Sequence, residues 1–498
     1  MRSNHKGNIV EQVTKILTGI ILLFTILGCN TKNMNNDFSK NLKPNIIYIL
    51  ADDLGYGDLS LTGQVKFSTP NIDKLSKDGI FFTQHYSGST VCAPSRSSLM
   101  TGQHTGHTFI RGNKEVQPEG QYPLDSSIVT VAELLKSGGY VTGAFGKWGL
   151  GYPSSEGEPN NQGFDEFYGF NCQRFGHNYY PPHLWHNQTK EVLKENQGQN
   201  IEIYAPDIIH EQAISFLEKN KDTTFFMYYP SIIPHAELLA PEKYIEKYRG
   251  KLLPEKKYKG VDNNYVELKE DKYQKDGGYS AQAEPHATFA AMIHLLDEQV
   301  GEIRKKVEDL GIAENTIIIF TSDNGPHQEG GADPIYFNSN SIFKGYKRDL
   351  YEGGIRVPLI AYWPENIKAN STSNHISAFW DFLPTACEIA QIKTPQKIDG
   401  ISFLPELIGG KQRNHEYLYW EFMEQGGKQA VRFGDWKGIR LNMSNMAKAP
   451  IELYNLTSDV AEQNNIAAEN PEIVEKIVEI MEREHTYSEE FSFGYEKN

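Results

Sequence analysis

Cysteine is scarce in this chain, with four in 498 residues. At that density no disulfide framework holds the fold together. Long apolar runs are missing too. The stretch ILTGIILLFTILG, residues 16–28, falls short of the roughly 20 residues a membrane-spanning helix needs. Nor is there an excess of positive charge. Lys and Arg number 49 against 64 Asp and Glu, a formal net charge of −15, which argues against DNA or RNA as a partner. An anionic ligand stays open if cationic side chains gather in one cleft. What is present is ordinary core-forming material: 39% hydrophobic and 12% aromatic residues. Such a chain is long enough for one large domain with a smaller companion, and disorder is not indicated.

Arg2, Lys6 and Lys15 precede the apolar run, which gives residues 1–28 the pattern of a signal peptide. ILGC, ending at Cys29, resembles a bacterial lipobox, whose cysteine carries the lipid. Residues 29–42 then read as a polar tether. The expectation is an exported bacterial lipoprotein, in the periplasm or at the outer membrane and cell surface, touching membrane only through its lipid anchor. A plain signal peptide with an incidental cysteine is the alternative. Cys92, Cys172 and Cys387 remain, an odd number. An unpartnered thiol in an oxidising compartment needs a reason, and Cys92, in VCAPSRSSLMTG, is the candidate.

Short apolar runs end repeatedly in chemically active residues. NIIYIL (45–50) leads into Asp52 and Asp53, YVTGAF (140–145) into Lys147, TTFFMYY (223–229) into His235, and TIIIFTS (316–322) into Asp323 and Asn324. Runs of β-branched and aromatic residues without alternation suit strands covered on both faces. Amphipathic segments at 71–79, 127–139, 207–220 and 287–311 lie between or beside them. That rhythm predicts an α/β doubly wound, mostly parallel sheet, with ligands beyond the carboxyl ends of its strands. After about residue 411 the texture changes. HEYLYWEF, QAVRFGDWKGIRL and IELYNL, with turns at Gly426-Gly427 and Gly434, predict a small antiparallel sheet followed by a helix over 471–485. The proposed boundaries are 43–410 and a C-terminal α+β unit, 411–498.

Adjacent carboxylates on a turn repel unless a cation lies between them. Asp52-Asp53 in ADDLGYGD and Asp323-Asn324 in SDNGPH offer oxygens suited to a hard cation such as Ca²⁺ or Mg²⁺. His104 and His107 in QHTGH have the spacing of a zinc pair on a helix, although Gly106 between them favours a loop.

CAPSR followed by TG, with ADDLGYGD, GKWGLG, SDNG and YEGGIRVP in that order, resembles the type I sulfatases. These belong to the alkaline-phosphatase-like superfamily, and the likeness covers nearly all the chain after Asn45. The resemblance implies that a maturation enzyme oxidises Cys92 to formylglycine (3-oxoalanine), whose hydrate is the nucleophile. It implies Ca²⁺, before Mg²⁺, held by Asp52, Asp53, Asp323 and Asn324 together with the group at Cys92. Arg96 would stabilise the deprotonated oxygen, Lys147 and Lys347 would hold sulfate oxygens, and His235 would protonate the departing alcohol. Residues 43–410 would then be the catalytic domain.

Two departures stand out. Many members read GKWHLG, so a familiar active-site histidine is Gly149 here, with His104 and His107 as conceivable stand-ins; and Arg348-Asp349 replace small residues beside Lys347. The expected substrate is a sulfated carbohydrate, such as an ulvan or carrageenan oligosaccharide or a galactose sulfate. Candidate contacts are Arg111 in FIRGN, and Arg174, His177 and His183 in the aromatic-rich stretch 169–187. A phosphodiesterase or phosphonate hydrolase of the same superfamily is one rival. A non-catalytic polysaccharide-binding lipoprotein is the other.

Overall fold

The computed structural model describes residues 43–497 except 263, 271, 275–277 and 444–448. The signal segment, the tether and Cys29 lie outside the described residues.

Eleven strands form one sheet. In chain order they are β1 (Asn45–Ala51), β2 (Ile80–Tyr86), β3 (Val141–Lys147), β4 (Glu166–Phe170), β5 (His183–His186), β6 (Thr189–Val192), β7 (Phe225–Pro230), β8 (Thr316–Ser322), β9 (Arg356–Tyr362), β10 (Ser371–Ser373) and β11 (Ser377–Ala378). Their spatial order is β10-β2-β9-β8-β1-β7-β3-β4-β5-β6, with β11 also on β2. The centre, β8-β1-β7-β3-β4, is parallel. β9 is antiparallel to both its neighbours, and β5 and β6 form an antiparallel edge.

Alternation along β1 shows why its sequence is apolar throughout. Ile47 and Ile49 face one core with the helices α4 (Ala205–Lys219) and α5 (Pro285–Asp309), while Ile46, Tyr48 and Leu50 face another with α3 (Val131–Ser137) and α6 (Phe382–Ile389). Helices therefore cover both faces, and the polar ends of the parallel strands open on one side. Two further helices complete the frame, α1 (Pro70–Lys77) and α2 (Cys92–Thr101).

A smaller antiparallel sheet follows, β12 (Tyr417–Phe422), β13 (Lys428–Phe433), β14 (Trp436–Leu441) and β15 (Ile451–Asn455), backed by α7 (Pro471–Glu484). Its hairpin turns use Gly426, Gly427 and Gly434 at positive φ, which glycine adopts without a Cβ penalty. Buried ion pairs tie it to the large sheet: Lys437 Nζ lies 2.9 Å from Glu352, and Arg111 Nη1 lies 2.9 Å from Glu421. No described helix is long and apolar enough to cross a membrane.

Candidate active site

The β1–β8 register pairs Ala51 with Ser322, so Asp52-Asp53 and Asp323-Asn324 leave the sheet side by side. Asp53 turns with φ 66°, its N–H donates to Asp323 Oδ1 at 3.1 Å, and the Asp323 N–H returns to Ala51 O at 3.0 Å. Asn324 Nδ2 donates to Asp53 Oδ1 at 2.7 Å. Its Oδ1 is buried without a hydrogen-bond partner.

Cys92 opens α2, which fixes its side chain at the start of the helix. Its thiol donates to Asp52 Oδ1 at 3.2 Å. One turn on, Arg96 donates from Nη2 and Nε to Asp323 Oδ2 at 2.9 and 3.1 Å and from Nη1 to the Lys147 carbonyl. Lys147, the last residue of β3, places Nζ 2.5 Å from Asp52 Oδ2 and 3.6 Å from Cys92 Sγ. Lys347 Nζ lies 2.8 Å from Asp53 Oδ2 and 2.9 Å from His235 Nε2. All nine residues are buried. Potential ligand atoms of Asp52, Asp53, Cys92 and His235 lie within 4.8 Å of one another.

Charges nearly close in this space: three carboxylates face three cationic side chains. Burial pushes the Asp52 and Asp53 carboxyls up. For Asp52, Lys147 and Arg96 outweigh that; for Asp53, Lys347 and Lys147 do so. Both carboxyls end below the usual range. Asp323 goes the other way, to about 7, through burial and the nearby Asp52 charge. Burial, with Lys347 and Lys147 close by, holds His235 neutral. Its Nδ1–H donates to the Ala236 carbonyl, which leaves Nε2 as an acceptor for Lys347.

The other expected contacts divide. His177 stacks on His235 at 4.4 Å and so lies at the site. Arg174 is partly exposed and paired with Glu115 at 3.2 Å. His183 is bound to Glu119 at 3.0 Å and packs on Phe175, outside the cluster. Arg111 is engaged elsewhere. It is 5% exposed, and its guanidinium is taken up by Glu421, Thr486 and the Thr108 carbonyl. It braces the two sheets, with four of its five N–H donors taken up inside the protein. His104 and His107 do not reach in for the histidine missing at Gly149. They sit in a loop, with His104 Nε2 3.3 Å from Glu484 and His107 Nδ1 2.9 Å from Asp399.

Sequence reasoning assigned no role to His327, which stacks on the far side of His235 at 5.7 Å. It also missed Glu329, which holds Arg348 Nη1 at 2.5 Å and lies 3.7 Å from Lys347. His327 was visible, three residues beyond Asn324 in SDNGPH; Glu329 carried no signal.

Comparison with known proteins finds sulfatases. The sulfatase family profile matches residues 44–392, and a profile for the C-terminal part of N-sulphoglucosamine sulphohydrolase matches residues 343–488. An N-acetylgalactosamine-6-O-sulfatase of Bacteroides thetaiotaomicron is 29% identical, covering 95% of this chain and 98% of its own. Human arylsulfatase G is 28% identical over 85% of this chain and 83% of its own. Among solved structures, Ps i-CgsB in complex with k-i-k-neocarrahexaose superposes with a TM-score of 0.72 at 28% identity, covering 89% of this chain and 94% of that one.

Proposed function

The chain belongs to the sulfatase family, and from that premise we propose that it hydrolyses the sulfate ester of a carbohydrate. The observation that carries this reading is Cys92 at the start of α2, against Asp52 and beside Lys147 in a fully buried cage. Relatives named for N-acetylgalactosamine 6-sulfate and a neighbour holding a carrageenan-type oligosaccharide support a sulfated sugar as substrate.

The donor set fits a hard divalent cation: carboxylate oxygens from two adjacent strand ends, and an Asn324 Oδ1 left without a partner. Asp52, Asp53, Asp323 and Asn324 would hold it, with calcium the ion we propose. When bound, the cation supplies positive charge that acidifies a neighbouring hydroxyl, and formylglycine at position 92 supplies that hydroxyl by hydration. The remaining work falls to the chain's own residues. Lys147, on Asp52, and Lys347, on Asp53, would grip the sulfate oxygens; Arg96, locked on Asp323, holds that carboxylate in place and adds fixed positive charge. With three acids balanced by three cationic side chains, an added dication leaves a positive site, which an anionic ester neutralises. His235 Nε2 accepts from Lys347, so this pair is the proton source for the departing alcohol. Burial of these side chains strengthens each of these interactions.

We also propose export through residues 1–28 and anchoring at Cys29, on the sequence pattern alone. The test of function is sulfate release, measured by ion chromatography, from N-acetylgalactosamine 6-sulfate and carrageenan oligosaccharides. Cys92→Ala should abolish it. Faster phosphate release from phosphate esters than sulfate release from any sulfated sugar would sink the proposal.

A further inference from the structure

Gly149 has φ 80° and no side chain, yet the space beside it is filled. A Cβ added there would lie 1.8 Å from Gln173 Nε2 and 2.7 Å from its Cδ. The Gln173 carboxamide thus occupies the direction in which a side chain at 149 would point. Gln173 is 5% exposed, and neither its Nε2 nor its Oε1 has a hydrogen-bond partner. A buried amide unpaired at both ends costs free energy. Folding alone gives no reason to keep it.

Its location supplies one. Trp148 and Gly149 donate their N–H groups to the carbonyls of Phe170 and Asn171, so the Gln173 segment runs alongside the end of β3. The turn beyond it closes over Lys147, since a Cβ on Gly176 would meet Lys147 Cδ at 2.8 Å. Gln173 N–H donates to Gln121 Oε1 at 3.0 Å, and Gln121 belongs to the same excursion as Asn113, whose Oδ1 accepts from Ala93 N–H beside Cys92. Gln121 Nε2 and Asn171 Oδ1 are likewise buried and unpaired. Three carboxamides with unmet polar atoms therefore line a run of contacts that starts at the end of β3, next to Lys147, and joins the excursion bonded to the start of α2.

We propose that Gln173 is a substrate-contacting residue of the sulfate pocket, admitted by Gly149, and that it selects for a hydroxyl beside the sulfate ester. This rests on the sulfatase reading above. Sulfate oxygens only accept, so they satisfy Nε2–H. Oε1 needs a donor, which a neighbouring sugar hydroxyl provides and an aryl ring does not. A site built to pair with a hydroxyl discriminates against a ligand lacking it, because its own polar group is then left unpaired.

The experiment compares wild type with Gln173→Met and Gln173→Glu on two esters, N-acetylgalactosamine 6-sulfate and para-nitrophenyl sulfate, with a melting curve for each mature protein. Met keeps the volume and removes both unpaired atoms, so Gln173→Met should melt no lower than wild type. Its kcat/KM should fall about a hundredfold on the sugar sulfate and about tenfold on the aryl ester, two hydrogen bonds against one. Gln173→Glu, which sets a carboxylate against the sulfate, should lose more on both. Equal losses of Gln173→Met on the two esters, or a lower melting temperature with kinetics intact, would overturn the proposal. Wild-type enzyme that releases sulfate from neither ester would overturn the sulfatase reading instead, so the two failures are distinct.

Discussion

The Lys347 ammonium lies 2.8 Å from Asp53 Oδ2, across 294 residues of sequence. Both are buried, and removing one partner of such a pair costs about 3–5 kcal/mol, because the other charge is left uncompensated. Lys347→Ala should therefore lower the melting temperature and cut sulfate release by about a hundredfold or more. A divalent cation beside Asp53 replaces part of the lost charge, so added calcium should recover much of the melting temperature but not the activity. A melting curve indifferent to calcium would contradict the cation site.

Chelation separates fold from function. Because Asp52, Asp53 and Asp323 already face Arg96, Lys147 and Lys347, the cage is electrically closed without a metal. Treatment with EDTA should leave the far-ultraviolet circular dichroism unchanged and remove sulfate release, and calcium should restore it. Full activity after exhaustive chelation would remove the metal from the account.

Arg111 gives a test of stability without chemistry. Its guanidinium pairs with the fully buried Glu421, so Arg111→Ala should destabilise the protein by about 3–5 kcal/mol with KM for the sulfated sugar unchanged. A raised KM in a stable variant would return Arg111 to the substrate site. Denaturant unfolding and steady-state kinetics decide between them.

The same brace carries a pH dependence. Burial alone would lower the His485 pKa, but the carboxylates of Glu421 and Glu496, at 2.7 and 2.8 Å, outweigh it and raise it to about 9. A raised pKa means stability present in full below the unfolded value, near 6.5, and lost as pH climbs towards 9. Melting temperature should fall across that window in the wild type and fall less in His485→Gln. Parallel curves for the two proteins would show that His485 does not carry the effect.

Much of the site was legible because β1, β3, β7 and β8 are buried on both faces, so their sequences read as apolar runs ending in Asp52, Lys147, His235 and Asp323. Order along the chain hid what depends on distant pairing. Arg111 looks like a free cation in FIRGN because its partner, Glu421, lies 310 residues on. The antiparallel course of β9 and the β5–β6 edge has no local mark, since an apolar strand reads the same in either direction. Gln173 is an unremarkable residue in sequence; only its carboxamide lying where a side chain at Gly149 would go, seen in three dimensions, gives it a role. Glu329 likewise acquires meaning only beside Lys347 and Arg348.

The central claim is that position 92 carries an aldehyde-derived nucleophile, and the mass of the tryptic peptide Asp78–Arg96, from protein made in its native host, tests it most directly. The account predicts the mass deficit of thiol-to-aldehyde conversion at Cys92, with a hydrated satellite. An intact Cys92 thiol in protein that releases sulfate at full rate would contradict it.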